Sequence, residues 1–583
     1  MKKSKFIVSF IIVILSAAAF SIALAACSNP SGEEGKAVFT INLDGSGRMA
    51  YGPGNTEGAF PTYNDLKYEL TFSTANGKSK QTFTGDLSSG AIHGEIEAGE
   101  YSVGLKIRLK ADSSVYANDD DAHNPVTINP IPNNAISVQM VKDPNVVEVE
   151  DGSSGKPFLV YDVATLQKVG SGTGGWGLDK HYRQMRDINL TSVSNWTPIG
   201  DGNNPFAGNY EGNGKTISNL KLGLFGCISG SGAIIKNVRL DCDIAGGDWV
   251  GGVAGINEGM VQDCYIMGKV SGTQNVGGVV GYNKGTVKNC RVMGEVSGWS
   301  EVGGIVGKND GGTVQNCYAT GKVEGNNYYV GGVVGDNSGT VESCYATGKV
   351  SGSGSVGGVV GTTYGGIVQY CYATGAVEGG SRVGGVVGVN GSIVQYCYAT
   401  GNVLGTDEVG GVAGYHGMAG RVDNCYATGK VEGTGHGIGG VAGSSAEGAV
   451  HNCYATGDVS GDEYVGGVLG DNGMAWPTNC VALNQNISGT DNVGRVIGNS
   501  TGSSNYGRKD MMGGNKSSNE NSSDGADITV AQWGVKSWWT TTSNWNTGSG
   551  NAWDFDEVWE WGGSLPILKN MPGRTQDPSV KNN

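Results

Sequence analysis

Short runs of Val and Gly recur through the middle of the chain at a steady spacing. The string Val-Gly-Gly-Val-Val-Gly, or a close variant, begins ten times, at intervals of 26 to 29 residues. Its first residues are Val250, Val276, Val302, Val330, Val356, Val383, Val409, Ile438, Val465 and Val493. A second string follows each of the first nine, and its Cys recurs at positions 264, 290, 317, 344, 371, 397, 425, 453 and 480. Two markers with one period indicate a tandem repeat.

The hydrophobic pattern inside a repeat is that of short strands. Val prevails among the apolar positions, which suits strands, and a Gly every few residues disfavours a helix. One repeat contains three strand-like pieces, at residues 279–280, 286–292 and 295–296, separated by Gly or by an Asn-x-Gly turn. Three strands and three corners predict one coil of a right-handed parallel β-helix, with a rise of about 4.8 Å per coil. We expect ten such coils over residues 241–500.

The first part of the chain has a different pattern. Apolar and polar residues alternate with a period of two at residues 38–43, 67–72, 101–109 and 136–141. This alternation is typical of half-buried strands. It predicts a small antiparallel β-sandwich over residues 37–147, placed as a spacer before the repeats. The run Asp119-Asp120-Asp121 is interpreted as a solvated loop, with a calcium site as the alternative.

The N-terminus has the pattern of an export signal. Lys2, Lys3 and Lys5 precede an apolar run over residues 6–24. The next residues, Leu24-Ala25-Ala26-Cys27, resemble the lipobox of bacterial lipoproteins, which implies cleavage after residue 26 and lipidation of Cys27. Acyl chains anchor a protein because each buried methylene contributes about 0.8 kcal/mol. We therefore expect a signal peptide over 1–26, a lipidated tether over 27–36 and a location in the cell envelope, at the outer membrane or cell surface. A single transmembrane anchor is the alternative.

Composition narrows the classes of partner. The 583 residues include 104 Gly but only 14 Pro, and Gly does not recur at every third position, so the chain is not collagen-like. A net charge of −15 disfavours nucleic acid and anionic lipid as partners. No cofactor or metal motif is found, since there is no Cys-x-x-Cys, no His-Glu-x-x-His and no phosphate-binding loop.

Segments outside the repeat are expected to close the stack. Residues 156–240 are interpreted as an N-terminal cap with the first coils, including a short helix at 163–169. Residues 501–526 are rich in Ser, Asn and Gly and predict a flexible linker. Residues 527–583 form a Trp-rich C-terminal cap, with seven of the 12 Trp between positions 533 and 561. This cap is interpreted as an apolar plug on the last coil, with a carbohydrate-stacking site as the alternative.

Two side-chain rows follow from the register. Cys residues one coil apart predict a ladder of buried, reduced thiols, because in-register neighbours point the same way and reach a disulfide dihedral with difficulty. The Tyr after each Cys points to the opposite face of its strand. This outer row is interpreted either as a ligand-facing ladder for sugar rings or as ring-on-ring packing that stiffens the stack. The ladder comprises Tyr318, Tyr345, Tyr372, Tyr398, Tyr426 and Tyr454.

The repeat resembles the GLUG-motif family. The matching core is Gly278-Val279-Val280-Gly281, and the Asn-Cys-Tyr-Ala-Thr-Gly string that begins at Asn316 is similar to the family's Asn-Ser-Tyr-Ala-Thr-Gly. The resemblance covers about residues 156–571 and implies a β-helix in an adhesin-like surface protein. It leaves the activity open, because the family includes parts of large exported proteases.

These patterns favour a binding scaffold over an enzyme. A catalytic site would break the period with charged insertions in a few coils, and the insertions here are one or two residues long. We expect an adhesin-like surface protein, anchored in the membrane by its lipid, that binds a glycan, a host or matrix protein, or a cell. The alternatives are a polysaccharide lyase or glycoside hydrolase, and a purely structural envelope protein.

Overall fold

The computed structural model describes residues 150–583, apart from 418, 515–518, 520, 547–552, 572–575, 577, 579 and 581–583, and the backbone of ten strands before residue 150. The chain divides into two compact units, Met1–Pro157 and Phe158–Asn583. Among the described residues, no helix combines the length and the apolar character needed to cross a membrane.

The first unit consists of two sheets whose strands are almost all antiparallel. Each of the four segments predicted from alternation overlaps a strand. Residues 5–15 and 19–29 also pair as strands. Cleavage after residue 26 and lipidation of Cys27 stay predictions. Asp120 and Asp121 lie outside the described residues. The strands are Lys5–Leu15, Ala19–Asn29, Lys36–Asn42, Leu66–Thr74, Lys80–Asp86, Ala91–Glu97, Gly99–Leu109, Val115–Asp119, Val126–Ile128 and Asn134–Val138.

The second unit is a parallel β-solenoid, as the repeat predicts. Its coils have four walls, where the sequence predicted three strands and three corners. The additional wall arises because the Val-Gly-Gly-Val-Val-Gly string bends at its centre and contributes the end of one strand and the start of the next.

Walls 1 and 2 follow each other across the Cys corner. Wall 1 comprises Phe158–Val160, His181–Gln184, Asn209–Glu211, Ile234–Lys236, Met260–Gln262, Thr286–Lys288, Thr313–Gln315, Thr340–Glu342, Ile367–Gln369, Ile393–Gln395, Arg421–Asp423 and Ala449–His451. Wall 2 comprises Ile188–Asn189, Thr216–Leu220, Arg239–Ala245, Tyr265–Ser271, Arg291–Val292, Glu295–Gly298, Tyr318–Ala319, Val323–Gly325, Tyr345–Ala346, Val350–Ser351, Tyr372–Ala373, Val377–Glu378, Tyr398–Ala399, Val403–Gly405, Tyr426–Ala427, Val431–Gly433, Tyr454–Ala455, Val459–Ser460, Val481–Ala482, Ile487–Ser488, Tyr506–Arg508 and Ala526–Ile528.

Walls 3 and 4 have ten strands each, and the ten repeat starts identified in the sequence all lie in wall 3. Wall 3 comprises Val250–Gly251, Gln274–Gly277, Ser300–Gly303, Tyr328–Gly331, Gly354–Gly357, Ser381–Gly384, Asp407–Gly410, His436–Gly439, Glu463–Gly466 and Asp491–Gly494. Wall 4 comprises Phe225–Ile228, Ala254–Asn257, Val280–Asn283, Val306–Asn309, Val334–Asn337, Val360–Thr363, Val387–Asn390, Ala413–His416, Ala442–Ser445 and Leu469–Asn472.

The core is continuous along the solenoid and is filled mainly by rows of fully buried Val. A polar row stands at the corner after wall 4, where the Asn amides of successive coils donate to the next coil, from Asn257 to Asn337. The Nδ2–Oδ1 distances are 2.8 Å for Asn257–Asn283 and 2.7 Å for Asn283–Asn309. This row satisfies buried amides that would otherwise destabilise the corner.

The start of the solenoid is covered by a short helix, Val163–Lys168, as predicted. Asp162 caps it, since the Asp162 carboxylate accepts from the Thr165 amide at 2.8 Å. Leu166 is fully buried in the core.

The C-terminal part differs from the prediction. Tyr506–Arg508 and Ala526–Ile528, inside or next to the expected flexible linker, continue wall 2 as its last two strands. The remaining elements are the helices Val530–Trp533 and Lys536–Thr540, the 3₁₀ turns Thr173–Gly175 and Thr542–Asn544, and the antiparallel hairpin Trp559–Trp561 with Pro566–Leu568.

Candidate functional site

The predicted Tyr ladder forms a continuous stack on the outside of wall 2. Ring centroids from Tyr318 to Tyr454 are 4.7 to 5.0 Å apart, and the ring planes deviate by 2 to 7°. Parallel strands in register hold identical rings one coil apart, so each ring packs on the next. This is the ring-on-ring packing that the sequence left as one of two interpretations.

The Trp-rich segment lies over this ladder, whereas the sequence predicted a plug on the last coil. The Tyr454 hydroxyl donates to the Pro566 carbonyl at 2.8 Å, and the Trp553 indole packs 6.1 Å from the Tyr454 ring. Four of the six predicted ladder residues are buried beneath the segment, namely Tyr372, Tyr398, Tyr426 and Tyr454. A ligand-facing role stays a prediction only for Tyr318 and Tyr345, which are half-buried.

The Cys ladder occupies the corner between walls 1 and 2, on the core side. None of the eleven described cysteines, Cys227 to Cys480, forms a disulfide, and all are buried. The Cys290 amide donates to the Cys317 sulfur at 3.3 Å, and the Cys290 thiol donates to the Lys288 carbonyl at 3.2 Å. Burial raises the pKa of the Cys317 thiol well above its ordinary value. The whole row is shielded from solvent, since each of its nine cysteines is at most 1% exposed.

A cleft between walls 3 and 4 is the feature that sequence reasoning missed. The two walls bend towards each other, so that their outer faces meet at a floor of glycine. A Cβ on Gly277 of wall 3 would lie 2.7 Å from the Gly307 nitrogen of wall 4 in the next coil. A Cβ on Gly278 would lie 2.8 Å from Val292 in the core, which shows that Gly277 faces away from the core. Side chains are excluded from the floor and begin at its two edges.

Two rows of side chains line the mouth of this cleft. The wall 3 row is the residue before each repeat start, and the wall 4 row is the residue directly before the polar corner. The wall 3 row is Trp249, Asn275, Glu301, Tyr329, Ser355, Arg382, Glu408, Gly437, Tyr464 and Asn492. The wall 4 row is Ile256, Tyr282, Lys308, Asp336, Thr362, Val389, Tyr415, Ser444 and Asp471.

The rows face each other across the cleft. The Arg382 guanidinium lies 5.1 Å from the centre of the Tyr415 ring. A Cβ on Gly437 would lie 3.4 Å from Ser444 and 3.6 Å from Asp471. With ten coils at about 4.8 Å each, the two rows run for on the order of 40 Å along the solenoid. Their middle is closed, since Ser355, Thr362, Val389 and Ser444 are buried.

Charged groups in the cleft are paired between coils. Lys308 bonds Asp336 at 2.8 Å, and Arg382 bonds Glu408 at 2.9 Å. Glu301 lies near the first pair, and burial together with the Asp336 charge raises the pKa of its carboxyl.

Three polar atoms at the cleft have no hydrogen-bond partner among the described residues. They are Asn275 Oδ1, Glu301 Oε2 and Thr362 Oγ1. Buried polar atoms are normally satisfied, so these three atoms, which are sealed from solvent, are exceptions within the packed contact between the rows.

The residue types of the wall 3 row do not follow the preference of their backbone conformation, so we infer that the side chains themselves account for them. All ten positions have positive φ, from 50 to 72°, which favours Gly, Asn or Asp. At the positive-φ corner before the Cys row, six of nine residues are Asn or Asp. In the wall 3 row only three of ten are Gly, Asn or Asp, although glycine is abundant in this chain. Bulky aromatic and charged residues at positive φ strain the backbone, and the backbone conformation does not explain why they occur there.

The variation of the wall 3 row is also visible in the sequence. Within each repeat the Val, Gly and Cys positions barely vary, whereas the residue before Val-Gly-Gly ranges from Trp to Glu to Arg. Because the repeats have nearly the same length, this variation in residue type does not appear as a break in the period.

Among the described residues, no three His, Cys, Asp or Glu side chains are grouped as a metal site requires. His416 replaces Asn in the polar corner row, where the Asn390 amide lies 3.0 Å from its Nδ1. Burial lowers the pKa of His416 to about 4, so it is neutral at pH 7.

The comparisons with known proteins agree with the repeat. The GLUG motif model matches residues 300–324, 326–351, 352–378, 405–432 and 434–460. A "Putative Gly-rich membrane protein" of Evansella cellulosilytica is 32% identical over 139 residues, which cover 21% of this chain and 16% of the relative. "Halomucin" of Haloquadratum walsbyi is 32% identical over 137 residues, covering 21% of this chain and 2% of the relative.

The similarity to these relatives is thus limited to part of each protein, since this chain matches a small share of their length. Among solved structures, an "IgA1 Protease" is similar with 17% identity and a TM-score of 0.29, covering 68% of this chain and 30% of that one. The chain thus carries GLUG-motif repeats at the matched residues, and these repeats lie within a parallel β-solenoid.

Proposed function

We propose that this GLUG-motif solenoid is a lipid-anchored protein of the cell surface, and that it binds a host molecule, a neighbouring cell or a glycan through the cleft between walls 3 and 4. The observation that carries the proposal is the contrast within each repeat. Inward positions are uniform, whereas the outward cleft rows differ from coil to coil at a backbone cost. A scaffold that presents a composite surface needs this combination.

The surface location is supported by the charged and apolar N-terminus, the lipobox-like residues up to Cys27, and a relative named as a membrane protein. Metabolic labelling with palmitate tests it. Label is expected in the native chain and absent from a Cys27→Ala variant, and an unlabelled native chain would refute the anchor.

Binding is tested with the full mature protein on an array of glycans and matrix proteins. We expect a specific signal that falls in a Trp249→Ala/Tyr282→Ala variant. Complete silence on the array would favour the purely structural alternative and contradict the proposal.

A polysaccharide-cleaving enzyme is the second candidate, and Glu301 is the observation that favours it. Its half-buried carboxyl has a raised pKa and lies near Lys308 and Asp336 in a long cleft. We propose binding without turnover, because Lys308 and Asp336 are engaged with each other at 2.8 Å. Product release from a polysaccharide panel, lost in Glu301→Gln, would instead establish the enzyme.

A further inference from the structure

We infer that the corner between walls 2 and 3, where Trp299 and Tyr328 are exposed in neighbouring coils, is a binding site for an uncharged pyranose sugar. The site, called the corner patch below, consists of Trp299, Asn326, Asn327 and Tyr328. These residues lie outside the two cleft rows, so sugar binding here does not depend on binding in the cleft.

The two aromatic side chains of the corner patch are open to solvent. Trp299 is 51% exposed and Tyr328 is 53% exposed. Their coils are adjacent, since the Asn327 amide donates to the Trp299 carbonyl at 2.8 Å. In later coils, the positions in register with Tyr328 are small or polar, beginning with Gly354 and Ser381. Large apolar groups exposed on adjacent coils form a patch, and such patches mark interaction sites.

The corner that carries Tyr328 is longer than the corners on either side of it. The step between paired Val residues is seven positions at 323–330, but six at 296–302 and six at 350–356. An extra residue in one strand bends it and turns nearby side chains in a new direction. The insertion therefore accounts for the outward position of Tyr328.

The Tyr328 ring lies against the backbone of the next coil. A Cβ on Gly354 would lie 2.8 Å from Tyr328 Cε1, so only glycine leaves room for the ring. The Tyr329 ring packs beside it, with the two centroids 6.1 Å apart. A ring that is supported on one side and exposed on the other offers apolar area to the C–H face of a pyranose.

The polar members of the corner patch suit the hydroxyl edge of the same sugar. The Asn326 backbone is fixed, because its amide donates to the Gly298 carbonyl at 3.0 Å and its carbonyl accepts from the Ser353 hydroxyl at 2.8 Å. Asn326 is nevertheless exposed, and Asn327 is half-buried. Each side-chain amide both donates and accepts, as binding of a hydroxyl group requires.

The charge around the corner patch favours a ligand without charge. From residue 272 to residue 354, the corner between walls 2 and 3 contains only uncharged residues, at 272–274, 298–300, 325–328 and 352–354. An acidic sugar or an anionic lipid surface would find no Lys or Arg in these segments. The same corner is acidic further along the solenoid, where it contains Asp407, Asp462, Glu463 and Asp491.

The backbone at the corner patch does not offer an edge to a peptide. Extended peptides bind by pairing with an unpaired strand. Tyr328–Gly331 is already paired on both sides, with Ser300–Gly303 and with Gly354–Gly357. Recognition at this corner therefore comes from side chains.

The test uses the full mature protein and isothermal titration. The probes are neutral mono-, di- and trisaccharides of hexoses and N-acetylhexosamines, with glucuronate as the acidic comparator. We expect at least one neutral probe to bind. Trp299→Ala and Tyr328→Ala should each raise its Kd about fivefold, which is the size expected from losing one aromatic contact. Deletion of Asn326, which restores the ordinary corner length, should raise the Kd at least as much.

Matched controls are available on the same protein. Trp476 and Tyr364 are 65% and 54% exposed at the corner between walls 4 and 1, so Trp476→Ala and Tyr364→Ala should leave the Kd unchanged. A second lengthened corner, at residues 431–438, contains glycine in place of the aromatic residues. Deletion of Thr434 from it should also leave the Kd unchanged. Circular dichroism checks that each variant is folded.

The outcomes separate the corner patch from the cleft. Failure of every neutral probe to bind overturns the sugar site, and so does binding that Trp299→Ala and Tyr328→Ala leave unchanged. Preference for glucuronate overturns the uncharged ligand. Self-association that Trp299→Ala abolishes would assign the patch to a second copy and also overturn the proposal. Binding on the array of matrix proteins that is lost only in the cleft variant leaves the proposed function intact without the corner patch.

Discussion

Wall 2 and the cleft both carry aromatic side chains in rows along the solenoid, yet the two regions differ in what satisfies those side chains. On wall 2 every position is Tyr from Tyr318 to Tyr454, and the rings stack on each other at 4.7 to 5.0 Å. In the cleft the aromatic residues are separated by charged and small residues and lack this self-stacking. The uniform row packs against itself and serves stability, whereas the mixed rows vary from coil to coil and keep exposed members such as Trp249.

Removal of a buried Trp should produce the largest effect on stability. Trp553 is 2% exposed and packs 4.4 Å from Trp539 and 4.9 Å from Trp559, measured between ring centroids. Trp553→Ala should lower the free energy of unfolding by about 3–5 kcal/mol, measured by denaturant titration. In the cleft, the exposed Trp249 should cost about 0.5 kcal/mol or less on substitution by Ala. Equal losses for the two variants would erase the distinction between the regions.

The pH dependence of the unfolding free energy should distinguish the interior of wall 4 from its outer row. His416 lies inside the solenoid, whereas the adjacent Tyr415 lies in the outer row. His416 is buried in the polar corner, and its pKa falls from 6.5 to about 4 as the chain folds. The unfolded chain therefore binds a proton at His416 more readily than the folded chain. The contribution of neutral His416 to the free energy of unfolding is complete above about pH 6.5 and is lost as the pH falls to about 4. The loss should reach about 3 kcal/mol, judged from the pKa difference.

The His416→Asn variant introduces the residue of the preceding coil, Asn390, and its unfolding free energy should lose this part of the pH dependence. The adjacent Tyr415 belongs to the cleft row, so Tyr415→Ala should retain the wild-type pH profile. An unchanged profile in His416→Asn would show that His416 is not the titrating group.

A smaller effect should follow from removing one hydroxyl under the Trp-rich segment. The Tyr454 hydroxyl donates to the Pro566 carbonyl at 2.8 Å. Tyr454→Phe should cost about 1 kcal/mol of unfolding free energy, since a buried carbonyl loses its donor. Tyr318→Phe, at the half-buried end of the same ladder, should be nearly neutral. A loss as large at Tyr318 as at Tyr454 would contradict the role of the segment.

Much of the fold could be predicted because the same pattern of Val, Gly and Cys recurs in each coil. The ten repeat starts became the ten strands of wall 3, and the Cys row became a buried ladder. The number of walls was missed because the bend at Gly278 and Val279 looks, in sequence, like the middle of one strand. The position of the Trp-rich segment was predicted wrongly because apolar side chains do not specify which surface they will cover. Its contact with wall 2 is also distant in sequence, since Tyr454 and Pro566 are 112 residues apart.

The sequence by itself determined the period, the strand type, the inward rows and the register, because a strict repeat with buried Val admits few alternatives. Only the tertiary structure decided which outward rows are open. It folds the Trp-rich segment over four tyrosines of wall 2, and it brings the wall 3 row of one coil against the wall 4 row of the next. The cleft exists because glycine at its floor lets two backbones meet, a long-range contact that local patterns do not encode.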